Sequence, residues 1–204
     1  MNIFCIEQNY LAHNRERENV IAGEPIIFVK PQTALLLSDT AFKYDNFDEN
    51  KLYIQSEIAL KISAKGKNIS EDKAANYYDA ITVSVNFTAI DIYDELNGIE
   101  ASWEKAKAWN HSSVVGNWMP IHEFRNKNDI NFCLYKNREM VQLGNSELMI
   151  HDFDKIISSI SKLYSLNIGD IVFTGTPLGV GEVFAGDKLE AFIEDDTLLE
   201  FEIE

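Results

Sequence analysis

The sequence predicts a strand-dominated α+β fold, and three stretches carry that prediction. Residues 52–62 and 82–90 alternate apolar and polar side chains with the period of two that belongs to a β-strand. Residues 153–163 instead place Phe153, Ile156, Ile157, Ile160 and Leu163 along one stripe of a helix. The other apolar runs are short and bounded by polar or turn-forming residues, which favours strands over further long helices.

The elements follow in order. Residues 2–6 form a first strand, and residues 9–18 are too polar and too short for more than a helical turn or two. In such a turn His13 and Glu16 are i,i+3 neighbours, so the carboxylate can orient the imidazole and raise its basicity; a solvated polar turn has the same pattern. Residues 25–29 form a strand closed by Lys30 and Pro31. Within 52–62, Leu52, Ile54, Ile58, Leu60 and Ile62 take one face, while Gln55 and Glu57 project side by side from the other. Ile69 and Ser70 supply a staple and an N-cap for a helix from residue 71 to about residue 80.

Residues 82–90 turn Val83, Val85, Phe87 and Ala89 inward, so Asn86 sits beside Gln55 and Glu57 if the two strands pair. Residues 103–109 read as a helical turn carrying Lys107, and residues 131–136 and 139–142 as a hairpin around Asn137 and Arg138. Asp152 caps the helix that follows. Ile171, Val172 and Phe173 make a short buried strand that runs into Thr174-Gly175-Thr176-Pro177. The backbone N–H groups and two hydroxyls of that turn suit a nest for a carboxylate or phosphate. Gly186-Asp187 leads to a strand over 188–193, and the simplest reading of the whole stretch is a β-hairpin with a glycine-rich connection. Its glycine spacing matches neither a P-loop nor a dinucleotide fingerprint.

Composition narrows the function. The 204 residues hold no linker-like stretch, so one domain over 1–204 is expected. With 18 Lys and Arg against 33 Asp and Glu, the net charge of −15 argues against nucleic acid or an anionic membrane as partner. Any anion site must therefore be built from local cations and backbone donors. No apolar run approaches the ~20 residues of a membrane span, and the first ten residues lack a signal peptide's pattern, so a cytoplasmic location is expected. Cys5 and Cys133 lie in apolar stretches without metal-ligand spacing and read as reduced core residues.

Taken together, NYLAHNRE, PIIFVKP, the strands over 52–62 and 82–91, KAWN followed by GNW, NREMVQLGNSELMI and GDIVFTGTPLGVG followed by GDKLE resemble the fumarylacetoacetate hydrolase family in its short single-domain form, the acylpyruvase or 2-hydroxyhepta-2,4-diene-1,7-dioate isomerase type. The resemblance implies a mixed β-sandwich roll and a homodimer. It also implies hydrolysis, isomerisation or decarboxylation of small anionic 2-oxo or 1,3-dioxo acids through a stabilised enolate. The family's divalent cation, Mg²⁺ or Mn²⁺, is held by Glu-x-Glu on one strand and Asp on the next, and these positions fall on Gln55, Glu57 and Asn86. One carboxylate and two amides replace three carboxylates, so Mg²⁺, Mn²⁺ or Ca²⁺ is expected to be held weakly or not at all.

Other positions also depart from the family: Gly-Arg before Asn-Tyr is Glu7-Gln8, an Arg before Asp91 is Ile90, and an Asp is Asn110. His13, Glu16 and Lys107 remain, and the resemblance makes His13 with Glu16 the proton carrier and Lys107 the group that stabilises the enolate. It places Tyr10, Gln142, Gly175 and Thr176 on the substrate. Two readings stand at this level. One is an enzyme of acylpyruvate-type acids, with or without a metal; the other is a homodimeric ligand-binding or regulatory protein that keeps the pocket without the chemistry.

Overall fold

The computed structural model describes residues 1–16, without the side chain of Glu16, together with residues 23–36, 42–43 and 51–204. The chain starts with β1 (Ile3–Glu7), the short helix α1 (Leu11–Glu16), β2 (Ile26–Lys30) and the two-residue β3 (Leu35–Leu36). A long pair follows, β4 (Leu52–Ile62) and β5 (Tyr78–Ala89). Next come α2 (Ile90–Gly98), α3 (Glu104–Lys107), β6 (Ser113–Val115) and β7 (Met119–Pro120). β8 (Asn131–Lys136) and β9 (Glu139–Asn145) form a hairpin whose turn residues Asn137 and Arg138 are both left-handed, at φ 53° and 70°. The chain ends with α4 (Phe153–Leu163), β10 (Ile171–Phe173), β11 (Gly181–Val183), β12 (Lys188–Ile193) and β13 (Asp196–Glu202).

Two sheets result. The larger runs β2-β1-β10-β4-β5-β6-β3, with β11 added to β4 and β7 to β5; the smaller runs β13-β12-β8-β9. One face of β4 and β5, with Ile54, Ile58, Val83, Val85 and Phe87, packs in a common core with Phe132, Leu134, Leu189 and Ile193 of the smaller sheet and with Phe153 and Ile156 of α4. The opposite face carries a smaller apolar cluster, among it Ile3, Cys5, Ala59 and Phe173. The polar side chains on that face are buried as well, so each must find partners within the protein. Among the described residues no helix is long and apolar enough to cross a membrane.

Three local expectations change. Residues 71–80 do not form a helix: a 3₁₀ turn over Glu71–Asn76 gives way to β5, because residues 78–81 pair with the end of β4 and the Tyr78 ring packs edge-on against Phe153 at 6.3 Å. β5 in turn ends at Ala89, one residue short of the expected strand over 82–90, and α2 begins at Ile90. The stretch around residues 169–193 is not a hairpin either. β10 pairs with β1 and β4, whereas β12 pairs with β8 and β13 in the other sheet. A three-residue strand buried on both faces carries no mark of its partner.

The crossing between the sheets leaves a gap. Along one edge of β4, β11 pairs with residues 52–54 and β10 with residues 59–61. Between them the Ser56 N–H donates to Gln142 Oε1 at 2.7 Å, and Ile58 O accepts from Thr174 N at 3.1 Å and Oγ1 at 2.8 Å. Gln142, reaching over from β9, takes the place of a missing strand. Gln142→Leu keeps the bulk but strands a buried N–H, so urea unfolding is expected to show a loss of about 1–3 kcal/mol. An unchanged midpoint would mean that another acceptor reaches Ser56.

Candidate active site

Strand pairing builds the site. Gln55 lies directly opposite Asn86, and Glu57 opposite Ser84, so the period of two puts Gln55, Glu57 and Asn86 on one face as close neighbours. Glu57 Oε1 accepts from Asn86 Nδ2 at 2.7 Å and Oε2 from Gly175 N at 2.7 Å. The anion held by the Thr-Gly-Thr-Pro turn is thus the protein's own carboxylate. Gly175 is at φ 99°, and a Cβ there would meet Asn9 Cβ at 2.7 Å, so glycine alone allows this approach. Burial pushes the Glu57 carboxyl up and the two N–H donors pull it part of the way back, leaving it at about 7.

Asn86 Oδ1 faces the other way. It accepts from Lys30 Nζ at 3.0 Å and from Ser113 Oγ at 2.5 Å, and Lys30 also donates to Ser113 Oγ at 2.8 Å and Ser112 O at 3.2 Å. Lys30 is fully buried, and burial pulls its ammonium down to about 8. A lysine head group therefore sits against one of the three positions that the resemblance assigned to a cation.

Gln55 Oε1 accepts from Thr88 Oγ1 at 3.1 Å and Lys107 Nζ at 3.2 Å. Lys107 is buried, ion-paired with Glu7, and lies 5.0 Å from the Tyr93 ring centre and 5.8 Å from that of Phe28. Burial lowers its pKa, but the Glu7 carboxylate together with Tyr93 and Glu57 outweighs that, and the net shift is upward. A cavity of about 20 Å³, room for one water, opens between Glu7, His13, Gln55, Tyr93, Ile90 and Lys107. His13, Gln55 and Lys107 thus border one space, and Gln55 lies beside the Glu57–Asn86 pair.

The other candidates are placed differently. Gln142 is buried, with its carbonyl on Ser56 N and its amide on Thr176 Oγ1 at 3.0 Å and Pro177 O at 3.3 Å. Its hydrogen bonds, and that of the Gly175 N–H, are all made within the protein. Tyr10 packs edge-on against Phe132 at 6.5 Å with its hydroxyl buried and without a hydrogen-bond partner among the described residues, and burial and the nearby Glu57 raise its pKa. The side chain of Glu16 lies outside the described residues.

A family model described as fumarylacetoacetate (FAA) hydrolase C-terminal matches residues 2–204. The chain belongs to the fumarylacetoacetate hydrolase family. It is 31% identical over 203 residues to the mitochondrial oxaloacetate tautomerase FAHD1 of Bos taurus, covering 100% of this chain and 91% of that protein. It is 29% identical over 197 residues to the oxaloacetate tautomerase YcgM of Escherichia coli (strain K12), covering 96% and 90%. Among solved structures, a fumarylacetoacetate hydrolase family protein from Yersinia pestis CO92 superposes with a TM-score of 0.95 at 30% identity, over 100% of this chain and 93% of that one. Fumarylpyruvate hydrolase from Pseudomonas aeruginosa, in complex with Mn²⁺ and pyruvate, gives a TM-score of 0.92 at 24% identity, over 100% and 89%, a likeness of fold.

Within this fumarylacetoacetate hydrolase fold, sequence reasoning passed over Glu7 and Lys30 as site residues. Both had a signal. Each is a charged residue closing an apolar strand in phase with its inward side chains: Glu7 follows Ile3 and Cys5, and Lys30 follows Phe28.

Glu57 also fixes a pH dependence. Its folded value of about 7 lies above its ordinary 4.5, so the folded state holds this proton more tightly than the unfolded chain. The stabilisation it brings is complete below about pH 4.5 and is lost as the pH rises to about 7. Glu57→Gln is neutral throughout, so its stability, measured by urea unfolding, should fall less between pH 5 and pH 8 than that of the unmodified protein. An identical fall in both would place the carboxyl's titration elsewhere.

Proposed function

We propose that this chain interconverts the keto and enol forms of a small 2-oxo acid, with the Lys107 ammonium as the electrophile and His13 as the proton carrier. The juxtaposition of Lys107 and His13 on one small cavity carries the reading. Lys107 is raised in pKa and fully charged at neutral pH, so it can hold the C2 oxygen as negative charge develops there. His13 takes the proton from C3 and delivers it to the C2 oxygen, which gives the enol, and the reverse transfer restores the keto form. The low-polarity surroundings of Tyr93 and Phe28 strengthen the lysine's field at the oxygen. Further support comes from the relatives named oxaloacetate tautomerase, whose reaction is of this kind.

The residues at the three family metal positions do not fit a resident divalent cation. They offer one carboxylate and two amides, and their oxygens accept from Lys30, Ser113, Asn86, Gly175, Thr88 and Lys107. Glu7 and Glu57 already balance Lys30 and Lys107, so a dication would bring two uncompensated charges into a buried site. No step of the proposed reaction runs through a metal.

A second reading, a ligand-binding protein without chemistry, draws on the same saturation of donors and acceptors. An apolar surface around Leu11, Leu143, Leu148, Pro177 and Leu178, with three exposed leucines, supports a homodimer in either case.

Exchange of deuterium into C3 of pyruvate and oxaloacetate, followed by NMR, tests the enzyme reading. Exchange insensitive to EDTA and reduced about 10²–10³-fold in Lys107→Met is expected. No exchange above the uncatalysed rate would leave the binding reading. Calorimetry should detect no Mg²⁺ or Mn²⁺ binding at millimolar concentration, and binding should appear in Gln55→Glu/Asn86→Asp. Leu148→Glu should shift a sedimenting dimer toward monomer; an unaltered sedimentation coefficient would move the dimer contact to another face.

A further inference from the structure

The Lys107 ammonium uses two of its three N–H donors within the protein. It is shared between the Glu7 carboxylate and Gln55 Oε1, and its remaining side is covered by the Tyr93 and Phe28 rings. Gln55 cannot leave easily, because strand pairing and the Thr88 hydroxyl fix it in place. Glu7 differs. It is the last residue of β1, precedes Gln8 in the left-handed conformation at φ 59°, and keeps 14% of its side chain in contact with solvent. The cavity beside it has room for only one water, so any 2-oxo acid that enters must displace something. Among the described residues lining it, Lys107 is the one lysine or arginine, and Glu7 neutralises it; Ile90 adds no charge.

We propose that Glu7 is an internal competitor for the anion position on Lys107, so that a small carboxylate ligand binds by displacing the protein's own carboxylate. The inference rests on the reading of Lys107 as the group that meets substrate. It assigns Glu7 a part in specificity. Once displaced, the Glu7 carboxylate remains tethered at the cavity wall, where it repels a second negative charge on the ligand more than a single one. The resting pocket is electrically neutral and selects monoanionic 2-oxo acids with an uncharged tail over dianions. Relatives named for oxaloacetate act on a dianion, so substrate class is expected to differ along this one position.

Calorimetric titration with pyruvate, a monoanion, and oxalate, a dianion, tests this on the unmodified protein and on Glu7→Gln. Oxalate affinity should rise at least tenfold in Glu7→Gln and pyruvate affinity by a smaller factor. Unchanged or weaker oxalate binding, or no binding of either acid to either protein, overturns the proposal. Glu7→Gly repeats the measurement with no side chain at all, and the unmodified protein crystallised with pyruvate gives an independent readout. Glu7 should have left Lys107 in that complex; a persisting pair with pyruvate bound overturns the idea whatever the variants do. The tighter oxalate binding without deuterium exchange would retain this inference and remove the enolisation reading. Normal exchange with unaltered oxalate affinity would do the reverse.

Discussion

The buried Glu57 carboxylate is the constraint on which the site depends. An anion removed from water is strongly destabilising unless each oxygen finds a donor, and here one donor comes from β5 and the other from the turn after β10. Those two hydrogen bonds tie the long antiparallel pair to the loop that crosses between the sheets. They also decide what the loop can be, since only a residue without a side chain brings its N–H so close to Asn9 and Glu57. Local backbone geometry and the electrostatics of the pocket therefore have a common origin.

From that carboxylate the charge pattern extends outward in alternating sign. Asn86 passes the interaction to Lys30, Gln55 links to Lys107, and Lys107 ends on Glu7. Each amide uses its oxygen on a cation, and Asn86 uses its nitrogen on an anion, which an aspartate at the same position could not do. The two amides thus suit a site whose positive charge is covalently attached. In a protein of net charge −15, attached lysines are a dependable way to keep a positive potential at one buried point.

Much of this was legible in the amino-acid order, and the reason differs by element. β4 and β5 were readable because burial of an apolar face forces strict alternation, and alternation fixes which polar residues share the other face. The Asp152 cap and the apolar stripe of α4 from Phe153 to Ile160 were readable because capping and helical periodicity are local, whereas Leu163 at the helix end lies exposed. The start of β5 at Tyr78 was not, since a staple and a cap residue competed with a pairing to β4 that no local signal reports. Glu7 and Lys30 were not either. The partner of Glu7 stands 100 residues further along the chain, and a lone charge at the end of a strand looks like a solvated edge until the fold encloses it.

Gln142 joins the two sheets in an unusual way, because a side chain from one enters the backbone ladder of the other. The β8–β9 hairpin and the crossing loop are consequently a single mechanical unit. The β8–β9 hairpin cannot slide by one residue without withdrawing that amide from both Ser56 and Thr176. Swapping the hairpin among homologous chains would then reshape the crossing loop as well, so chimaeras in this fold should be cut outside both segments.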